Sequence, residues 1–375
     1  MHINMIGLVS YHSEPNYGTM LQAYALAKAI DMLGYKSEYI LYRGITKKPW
    51  LKYFIRKQLA DVYHFVCPPK GEFEYFKTKE FHSILSRFDD FHRQFIPVSG
   101  QEYNIDTIGL SNNQYDSFIV GSDQTWSRYM NRLNSSINFL PFVEEKSKKK
   151  SYAPSIGSTH IEQDYITRLK DELSDFNSIS CRERENCILL SKLLGRTVEY
   201  VVDPTLLLQP SDWDKIAINP GVKGGYILAY ILGVKNCVSE YAECLGKEKG
   251  LPVYYILTRP EYLKKQRVLN SVGPREFVGL IKSASYVVTD SFHGSLFSIN
   301  YGKNFYSFAK RAVSVDDLTY DNDRIISFLS ELGLENRFKA DTDIYFEQDI
   351  DYSAVLKKLS ELRKFSWSYL KSIVS

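Results

Sequence analysis

The segment TDSFHGSLFS, residues 289–298, places a histidine where such a side chain can do chemistry. The β-branched and aromatic residues 286–288 just before it predict a buried strand, and the apolar residues after it, up to Gly302, predict a short helix. His293 is therefore expected at the carboxyl end of a strand and near a helix N-terminus. Free N–H groups and the helix dipole attract anions there, and an imidazole can bind an anion or exchange a proton near neutral pH.

Polar side chains also follow the other predicted strands. The groups that share this placement are Tyr11-His12 with Asn16-Tyr17-Gly18, Gly121-Ser122-Asp123-Gln124, Ala153-Pro154-Ser155, Arg182-Glu183, Asp203-Pro204 and Asp290-Ser291-Phe292-His293. In an open parallel sheet, ligands bind beyond the carboxyl ends of the strands. Each group alone is also ordinary turn chemistry, but the series favours a functional cleft.

Alternating strand and helix patterns must position these groups. INMIGLVS, TMLQAYALAKAIDMLG and SEYILY predict a strand, a helix and a strand, which is a βαβ opening with a parallel sheet. The alternation stops in a stretch rich in Pro, Gly and Asp and then restarts. We therefore predict an α/β protein of two Rossmann-like, doubly wound domains over residues 1–210 and 225–345, joined by a linker at 211–224. A basic amphipathic helix is predicted over 346–375.

The composition excludes several classes of protein. Lys and Arg number 47 against 44 Asp and Glu, too balanced for a dedicated nucleic-acid binder. The five cysteines form no CxxC pair and the seven histidines no HExxH motif, so neither a disulfide framework nor a metal site is predicted. We find no signal peptide and no run of about 20 apolar residues, and therefore expect a cytoplasmic protein.

Seven blocks of this sequence carry a resemblance to a known family. They are NYGTMLQAYAL, YDSFIVGSDQTW, SYAPSIGS, ISCRERE, VVDPTLLL, GPREFVGLIKSASYVVTDSFHGSLFSINYGKNF and DRIISFLSELGLENR. In order and spacing these blocks resemble the polysaccharide pyruvyl transferase family. The resemblance spans about residues 3–337. It implies an architecture similar to the B-type glycosyltransferases and the transfer of pyruvate from phosphoenolpyruvate to two sugar hydroxyls, which forms a cyclic ketal. Phosphoenolpyruvate is a co-substrate, and no cofactor is implied.

The donor in this resemblance carries a phosphate and a carboxylate, so its site must supply positive charge and N–H groups. We expect the amides of Gly294 and Ser295, the Ser291 hydroxyl and His293 to bind it. His293 is also the expected general acid for C3 of the enol.

Some family members carry an arginine two residues before this histidine, where this chain has Ser291. A serine cannot make the bidentate, charged contact of a guanidinium. Arg182 in the CRERE block, and after it Arg324, are therefore the expected anion-binding arginines. For Arg182 the alternative is an ion pair with Glu183 or Asp203.

The acceptor sugar is expected on the N-terminal domain. Asp123 is the predicted base for a sugar hydroxyl and Trp126 a stacking face. The other predicted acceptor-binding residues are His12, Asn16, Tyr17, Gln22 and Gln124. The block VVDPTLLL is interpreted as mainly structural, with Asp203 ending a strand.

The expected product is a pyruvylated sugar in a bacterial capsule, exopolysaccharide or lipid-linked precursor. The basic aromatic segment 46–66 is compatible with peripheral contact at the inner membrane surface, and an ordinary amphipathic helix over the core is the alternative. Two other functions stay open: a glycosyltransferase that uses a nucleotide sugar, and a glycan- or phosphoanion-binding protein without catalysis.

Overall fold

The computed structural model describes residues 5–43, 79–128, 136–158, 161–233, 236–258, 262, 264–309, 322–339 and 345–375. The segment 46–66, for which a membrane contact is predicted, lies outside these ranges.

The N-terminal half, up to residue 208, is built on a parallel sheet. Its strands are β1 (Met5–Val9), β2 (Lys36–Tyr42), β3 (Val98–Tyr103), β4 (Ser117–Val120) and β5 (Lys149–Ser151), in the spatial order β3-β2-β1-β4-β5. A short parallel pair, β6 (Ser180–Cys181) and β7 (Glu199–Tyr200), lies beyond β5. The helices of this half are α1 (Tyr17–Met32), α2 (Lys79–Phe95), α3 (Gln163–Leu173), α4 (Arg184–Leu194) and the short α5 (Pro204–Leu207).

The C-terminal half, residues 227–339, repeats the plan. Its strands are β8 (Ile227–Tyr230), β9 (Val253–Ile256), β10 (Val268–Leu269), β11 (Tyr286–Thr289), β12 (Asn304–Phe308) and β13 (Phe338–Lys339), in the parallel order β10-β9-β8-β11-β12-β13. After the one-turn helix α6 (Pro210–Trp213), the helices are α7 (Asn236–Lys249), α8 (Pro274–Ser283), α9 (Phe292–Asn300) and α10 (Asp323–Leu332). The structure confirms the predicted α/β class with two doubly wound sheets.

In each sheet, the order in which successive strands are added reverses at one central pair of strands. The pair is β1 and β4 in the first sheet, and β8 and β11 in the second. Strands β4, β8 and β11 are buried at every residue, as expected for parallel strands covered by helices on both faces. Val9 lies opposite Val120 and Tyr230 opposite Thr289, so both members of each pair end together. A crevice for a ligand is expected beyond these four ends.

Aromatic side chains join the two halves. The ring of Tyr17 in α1 stacks on Phe277 of α8 at 4.8 Å between centroids and meets Tyr230 edge-on at 5.5 Å. Phe88 of α2 packs on the other side of Tyr17 at 4.9 Å, and the Tyr17 hydroxyl donates to the Val272 carbonyl at 2.8 Å. We call Tyr17, Phe88, Tyr230 and Phe277 the aromatic contact. One continuous hydrophobic core includes it and extends into both halves.

The C-terminal helix, α11 (Tyr352–Val374), returns to the N-terminal half. Trp367 donates to the Leu207 carbonyl at 3.2 Å, and Ser366 accepts from the Val202 amide at 3.0 Å. The helix therefore covers the core with one face, within the range predicted for it. Among the helices of the described ranges, none is both long and apolar enough to cross a membrane.

The predicted linker at 211–224 includes most of α6, whose Trp213 is buried. Trp213 packs edge-on against Phe297 of the C-terminal half at 4.8 Å and against Tyr24 of the N-terminal half at 5.6 Å. The start of this stretch is thus part of the shared core. The domain boundaries themselves stay a prediction.

Candidate active site

A cleft of about 270 Å³ lies where the four central strands end. Its lining comes from both halves: Tyr11, Glu14, Asn16, Thr19, Asp123 and Gln124 on one side, and Leu232, Asp290, Ser291, Phe292, His293, Asn322, Arg324 and Ile325 on the other. Six of the predicted site residues meet here, namely Asn16, Asp123, Gln124, Ser291, His293 and Arg324. The structure therefore brings together residues predicted for the donor and for the acceptor, which lie far apart in the sequence.

The histidine of the cleft is fixed by the local turn. Strand β11 ends at Thr289, whose hydroxyl accepts from the Ser291 amide at 3.0 Å, and Ser291 then caps α9 by accepting from the Gly294 amide at 3.3 Å. His293 occupies the first turn of α9 and is 9% exposed. Its Nε2 is buried and lies 3.6 Å from Oδ2 of Asp203.

Gly18 of α1 lies directly against the imidazole. A Cβ atom at Gly18 would stand 2.1 Å from Nδ1 of His293 and 2.6 Å from its Cγ. These distances are far inside van der Waals contact, so no other residue fits here without moving the ring. The N-terminal half thus touches the histidine of the C-terminal half on two sides, through Gly18 and Asp203.

Asp203 is the centre of a buried network. Its Oδ2 accepts from Ser122 and Arg182, both at 2.9 Å, and its Oδ1 accepts from the amide and hydroxyl of Thr205 at 3.0 and 2.7 Å. Burial disfavours the charged carboxylate, but His293, Arg182 and the Thr205 amide outweigh it, so the pKa of Asp203 lies below its ordinary value. Asp203 is therefore a carboxylate facing the histidine.

Arg182, a predicted donor-binding residue, is not among the residues that line the cleft. Its side chain is 1% exposed and pairs with Asp203 at 2.9 Å and Glu183 at 3.4 Å, the ion pairs that the sequence offers as the alternative. Its guanidinium also lies 4.7 Å from the centroid of the Phe292 ring. The structure therefore places Arg182 beneath the cleft lining, and its donor-binding role stays a prediction.

Arg324 is the arginine that reaches the cleft. It stands near the start of α10, and its guanidinium lies 5.5 Å from the Phe292 ring centroid. With the amide oxygen of Gln124 oriented toward it, Gln124 accepts from both Arg324 terminal nitrogens at 3.1 and 2.9 Å. We call Gln124, Asp203, His293 and Arg324 the polar contact, because these side chains connect the halves around the cleft.

Asp123 lines the cleft with an unusual backbone. Its φ of 79° is in the left-handed region, where non-glycine residues carry strain that often accompanies function. Its Oδ2 accepts from the Thr19 hydroxyl at 2.8 Å, and its backbone carbonyl accepts from the Ser155 amide at 2.8 Å. The carboxylate is thus held at the cleft, where the predicted base would stand.

Gly294 and Ser295, which are predicted to bind the donor, are not among the residues that line the cleft, and their amides are bonded inside the fold. The Gly294 amide donates to the side-chain oxygen of Ser291. The Ser295 amide donates to the Ser291 carbonyl oxygen at 3.1 Å. A Cβ at Gly294 would meet the Thr289 hydroxyl at 2.6 Å, so the glycine serves the packing of helix against strand rather than the approach of a ligand. Among the described hydrogen bonds, none uses the amides of Phe292 and His293, which lie in the first turn of α9.

Four predicted acceptor residues also lie away from the cleft. Trp126 is fully buried and donates to the Asn138 carbonyl at 3.0 Å, so it offers no face for stacking. Tyr17 belongs to the aromatic contact. Gln22 is fully buried and donates to the carbonyls of Tyr11 at 2.9 Å and Thr19 at 3.0 Å.

The fourth, His12, points inward. Its Nδ1 lies 3.1 Å from Nε2 of His92 in α2, and its ring packs 5.0 Å from that of Tyr39. Burial and the neighbouring His92 lower the pKa of His12 to about 4. At neutral pH, His12 is an uncharged core residue that anchors the loop after β1.

Sequence reasoning missed two carboxylates. From the sequence, Asp203 is interpreted only as the end of a strand. It follows β7, however, just as Asp123 follows β4. Asp290 accepts from the amides of Leu232 and Gly233, both at 2.7 Å, and so ties the loop after β8 to the cleft. Within the described ranges, no cluster of three or more His, Cys, Asp or Glu side chains is arranged to hold a metal ion.

Comparisons with known proteins agree with this architecture. The model of the family described as polysaccharide pyruvyl transferase matches residues 16–310. A proposed UDP-N-acetylglucosamine 2-epimerase from Listeria monocytogenes superposes with a TM-score of 0.52 at 9% identity, covering 99% of this chain and 91% of that one. No curated protein matches the chain.

Two further solved structures are similar over their whole length. The UDP-GlcNAc 2-epimerase from Neisseria meningitidis has a TM-score of 0.47 at 9% identity, over 96% of this chain and 100% of that one. The glycosyltransferase SnogD from Streptomyces nogalater has a TM-score of 0.41 at 12% identity, over 99% and 98%.

Proposed function

The chain belongs to the polysaccharide pyruvyl transferase family, and we propose that it transfers pyruvate from phosphoenolpyruvate to two hydroxyls of one sugar in a surface polysaccharide or its lipid-linked precursor. The observation that carries this proposal is the composition of the cleft. A histidine and an arginine of the C-terminal half face a carboxylate and an amide of the N-terminal half across a cleft with a volume of about 270 Å³. Such a site can hold an anionic donor against a hydroxyl-bearing acceptor.

The donor side supplies positive charge and N–H groups. Arg324 can contact the carboxylate or phosphate of phosphoenolpyruvate with two parallel N–H groups, which compensates for the serine at position 291. The first-turn amides of Phe292 and His293, together with the dipole of α9, favour the remaining anionic group.

The chemistry requires one acid and one base. C3 of the donor gains a proton from His293 while C2 bonds to a sugar oxygen, whose proton passes to Asp123. The second hydroxyl oxygen then bonds to C2 as the C2–O bond to phosphate breaks, and its proton leaves with the phosphate. The products are the cyclic ketal and inorganic phosphate, and solvent returns the proton from Asp123 to His293.

The acceptor side is lined by groups that bind hydroxyls. Thr19 holds the Asp123 carboxylate at 2.8 Å, and Asn16 and Tyr11 line the same wall. Both reacting hydroxyls must meet one carbon, so this wall contributes mainly by positioning.

The first experiment is ligand-induced thermal stabilisation with phosphoenolpyruvate, inorganic phosphate and a panel of nucleotide sugars. A ligand at 100 times its Kd stabilises the native state by about 2.7 kcal/mol, which is readily measured. We expect stabilisation by phosphoenolpyruvate that is lost in Arg324→Ala and kept in Arg93→Ala, an exposed arginine of α2. Stabilisation by nucleotide sugars alone would overturn the proposal in favour of a glycosyltransferase.

The second experiment measures transfer. Incubation with phosphoenolpyruvate and candidate sugars is expected to release phosphate and to add one pyruvate less one water to the acceptor, as seen by mass spectrometry. His293→Ala is expected to lower this rate at least a hundredfold, as is usual for loss of a general acid. Undiminished transfer by His293→Ala would refute the role of this residue.

A further inference from the structure

The imidazole of His293 is held by the half of the molecule that does not carry it. Its Nε2 lies 3.6 Å from the Asp203 carboxylate, an ion-pair distance slightly longer than a hydrogen bond. On the other side, Gly18 leaves no space between its own backbone and Nδ1. Asn16 and Thr19, two residues before and one residue after Gly18, line the cleft together with His293.

We propose that Asp203 is a positioning residue for His293, which holds the imidazole ring in place from its Nε2 side. This inference rests on the proposed function of His293 as the acid. Asp203 on the Nε2 side and Gly18 on the Nδ1 side then fix the orientation in which the ring meets the donor.

Asp203 is itself held firmly enough for this task. Ser122, Arg182 and Thr205 donate four hydrogen bonds of 2.7–3.0 Å to its two oxygens, and the side chain is 1% exposed. A carboxylate fixed in this way cannot turn away from the imidazole without leaving several buried donors unpaired.

The network beside His293 contains two buried acidic side chains and one arginine. The acidic side chains are Asp203 and Glu183, and Glu183 accepts hydrogen bonds from Ser155 and Arg182. Arg182 therefore supplies one positive charge to two acidic neighbours. Removal of the Asp203 carboxylate still leaves Arg182 with Glu183, so Asp203→Asn changes the partner of the imidazole without leaving the guanidinium unpaired.

Other charged groups also face the histidine. The cleft contributes Glu14, Asp123, Asp290 and Arg324, and Arg182 lies beneath Phe292. Asp290 is bound by two backbone amides and Asp123 by Thr19. Asp203 differs from these groups because it is the carboxylate in ion-pair distance of the ring.

The test compares kcat per folded molecule and KM for Asp203→Asn, Asp203→Glu and the wild type. Asp203→Asn is expected to lower kcat about a hundredfold, because the imidazole loses the carboxylate that orients it. KM for phosphoenolpyruvate is expected to change less than about threefold, since Arg324 is untouched. Asp203→Glu is expected to restore most of kcat, and Thr205→Val, which keeps the carboxylate, to leave kcat near the wild-type value.

The folded fraction of each variant is measured by urea denaturation, so that a loss of fold is separated from a loss of rate. An unchanged kcat in Asp203→Asn, or a loss of kcat that Asp203→Glu does not restore, would refute this inference. His293→Ala separates the two hypotheses. If this change leaves transfer intact, the proposed function of His293 fails, whereas loss of transfer in His293→Ala with wild-type kcat in the Asp203 variants refutes only this inference.

Discussion

Two contacts join the halves of this protein, and they have opposite chemistry. The aromatic contact around Tyr17 is apolar, buried and part of a continuous core, whereas the polar contact around His293 borders the cleft. The two meet at neighbouring residues of α1, because Tyr17 packs on Phe277 and Gly18 packs on His293. We infer that one contact provides stability and the other chemistry, and that each can be disrupted with little effect on the other.

The reason lies in what each contact buries. Aromatic rings removed from water stabilise the native state in proportion to their area, independently of any substrate. Charged pairs at the cleft must be desolvated, which offsets much of their attraction, so their net contribution to folding is small. Their value is the placement of charge where a ligand binds.

The largest expected effect is on stability, from Tyr17→Ala. Removal of a buried ring at the centre of the aromatic contact is expected to lower the free energy of unfolding by about 3–5 kcal/mol, measured by urea denaturation. Tyr17→Phe, which loses only the 2.8 Å hydrogen bond to Val272, is expected to cost about 1 kcal/mol. Because the cleft is untouched, kcat per folded molecule should stay near the wild-type value in both variants. A large loss of kcat would show that the two contacts are not separable.

The second prediction concerns His12, which ties the loop of the cleft to α2. Its pKa of about 4 in the native state lies below the ordinary value of 6.5, so the unfolded chain binds more protons between these pH values. The free energy of unfolding is therefore expected to have its full value above pH 6.5 and to fall by about 3 kcal/mol as the pH drops to 4. Urea denaturation of the wild type and His12→Gln across this range tests it, because the variant should lose most of this slope. Equal slopes in both proteins would contradict the burial of a neutral His12.

The third prediction is a loss of activity with little loss of fold, from Gly18→Ala. The new Cβ would displace the His293 ring, and a misplacement of about 1 Å can cost a hundredfold in rate, or about 2.7 kcal/mol. Alanine is a better helix former than glycine, so the helix itself should not suffer. Gly100→Ala in β3, where no heavy atom lies within 4 Å of the new Cβ, is the control and should keep full activity. Wild-type kcat in Gly18→Ala would contradict the close contact with His293.

The smallest expected effect is that of Gln124→Ala, which removes the N-terminal partner of Arg324. Less precise placement of the guanidinium is expected to raise KM for phosphoenolpyruvate about tenfold, equivalent to about 1.4 kcal/mol, with kcat and stability nearly unchanged. Gln101→Ala, on the exposed side of β3, is the control. An unchanged KM would mean that Arg324 does not bind the donor or needs no second partner.

Much of the fold could be predicted because its signals are local. Alternation of apolar strands with amphipathic helices predicted two parallel sheets, and the rule that ligands bind beyond strand ends located Asp123 and His293. The same rule could not distinguish side chains that face the cleft from those that turn inward. His12 and Tyr11 are adjacent, yet only Tyr11 lines the cleft.

The predicted residues that lie away from the cleft have a common physical feature. Arg182 and Trp126 follow strands just as Asp123 does, but distant elements pack over both, Phe292 over Arg182 and residues near Asn138 over Trp126. Burial depends on contacts between segments far apart in the chain, which local patterns do not encode.

By itself, the sequence determined the α/β class, the family and the position of His293 at a strand end beside a helix N-terminus. Short-range periodicity, turn chemistry and the order and spacing of the motif blocks carry that information. Only the tertiary structure decided which charged groups surround the histidine. Asp203 lies 90 residues before it and belongs to the opposite half, and Gly18 lies far earlier still. Such contacts form only when two separate sheets pack against each other, and that packing is driven by apolar surface that carries no record of the polar pairs it brings together.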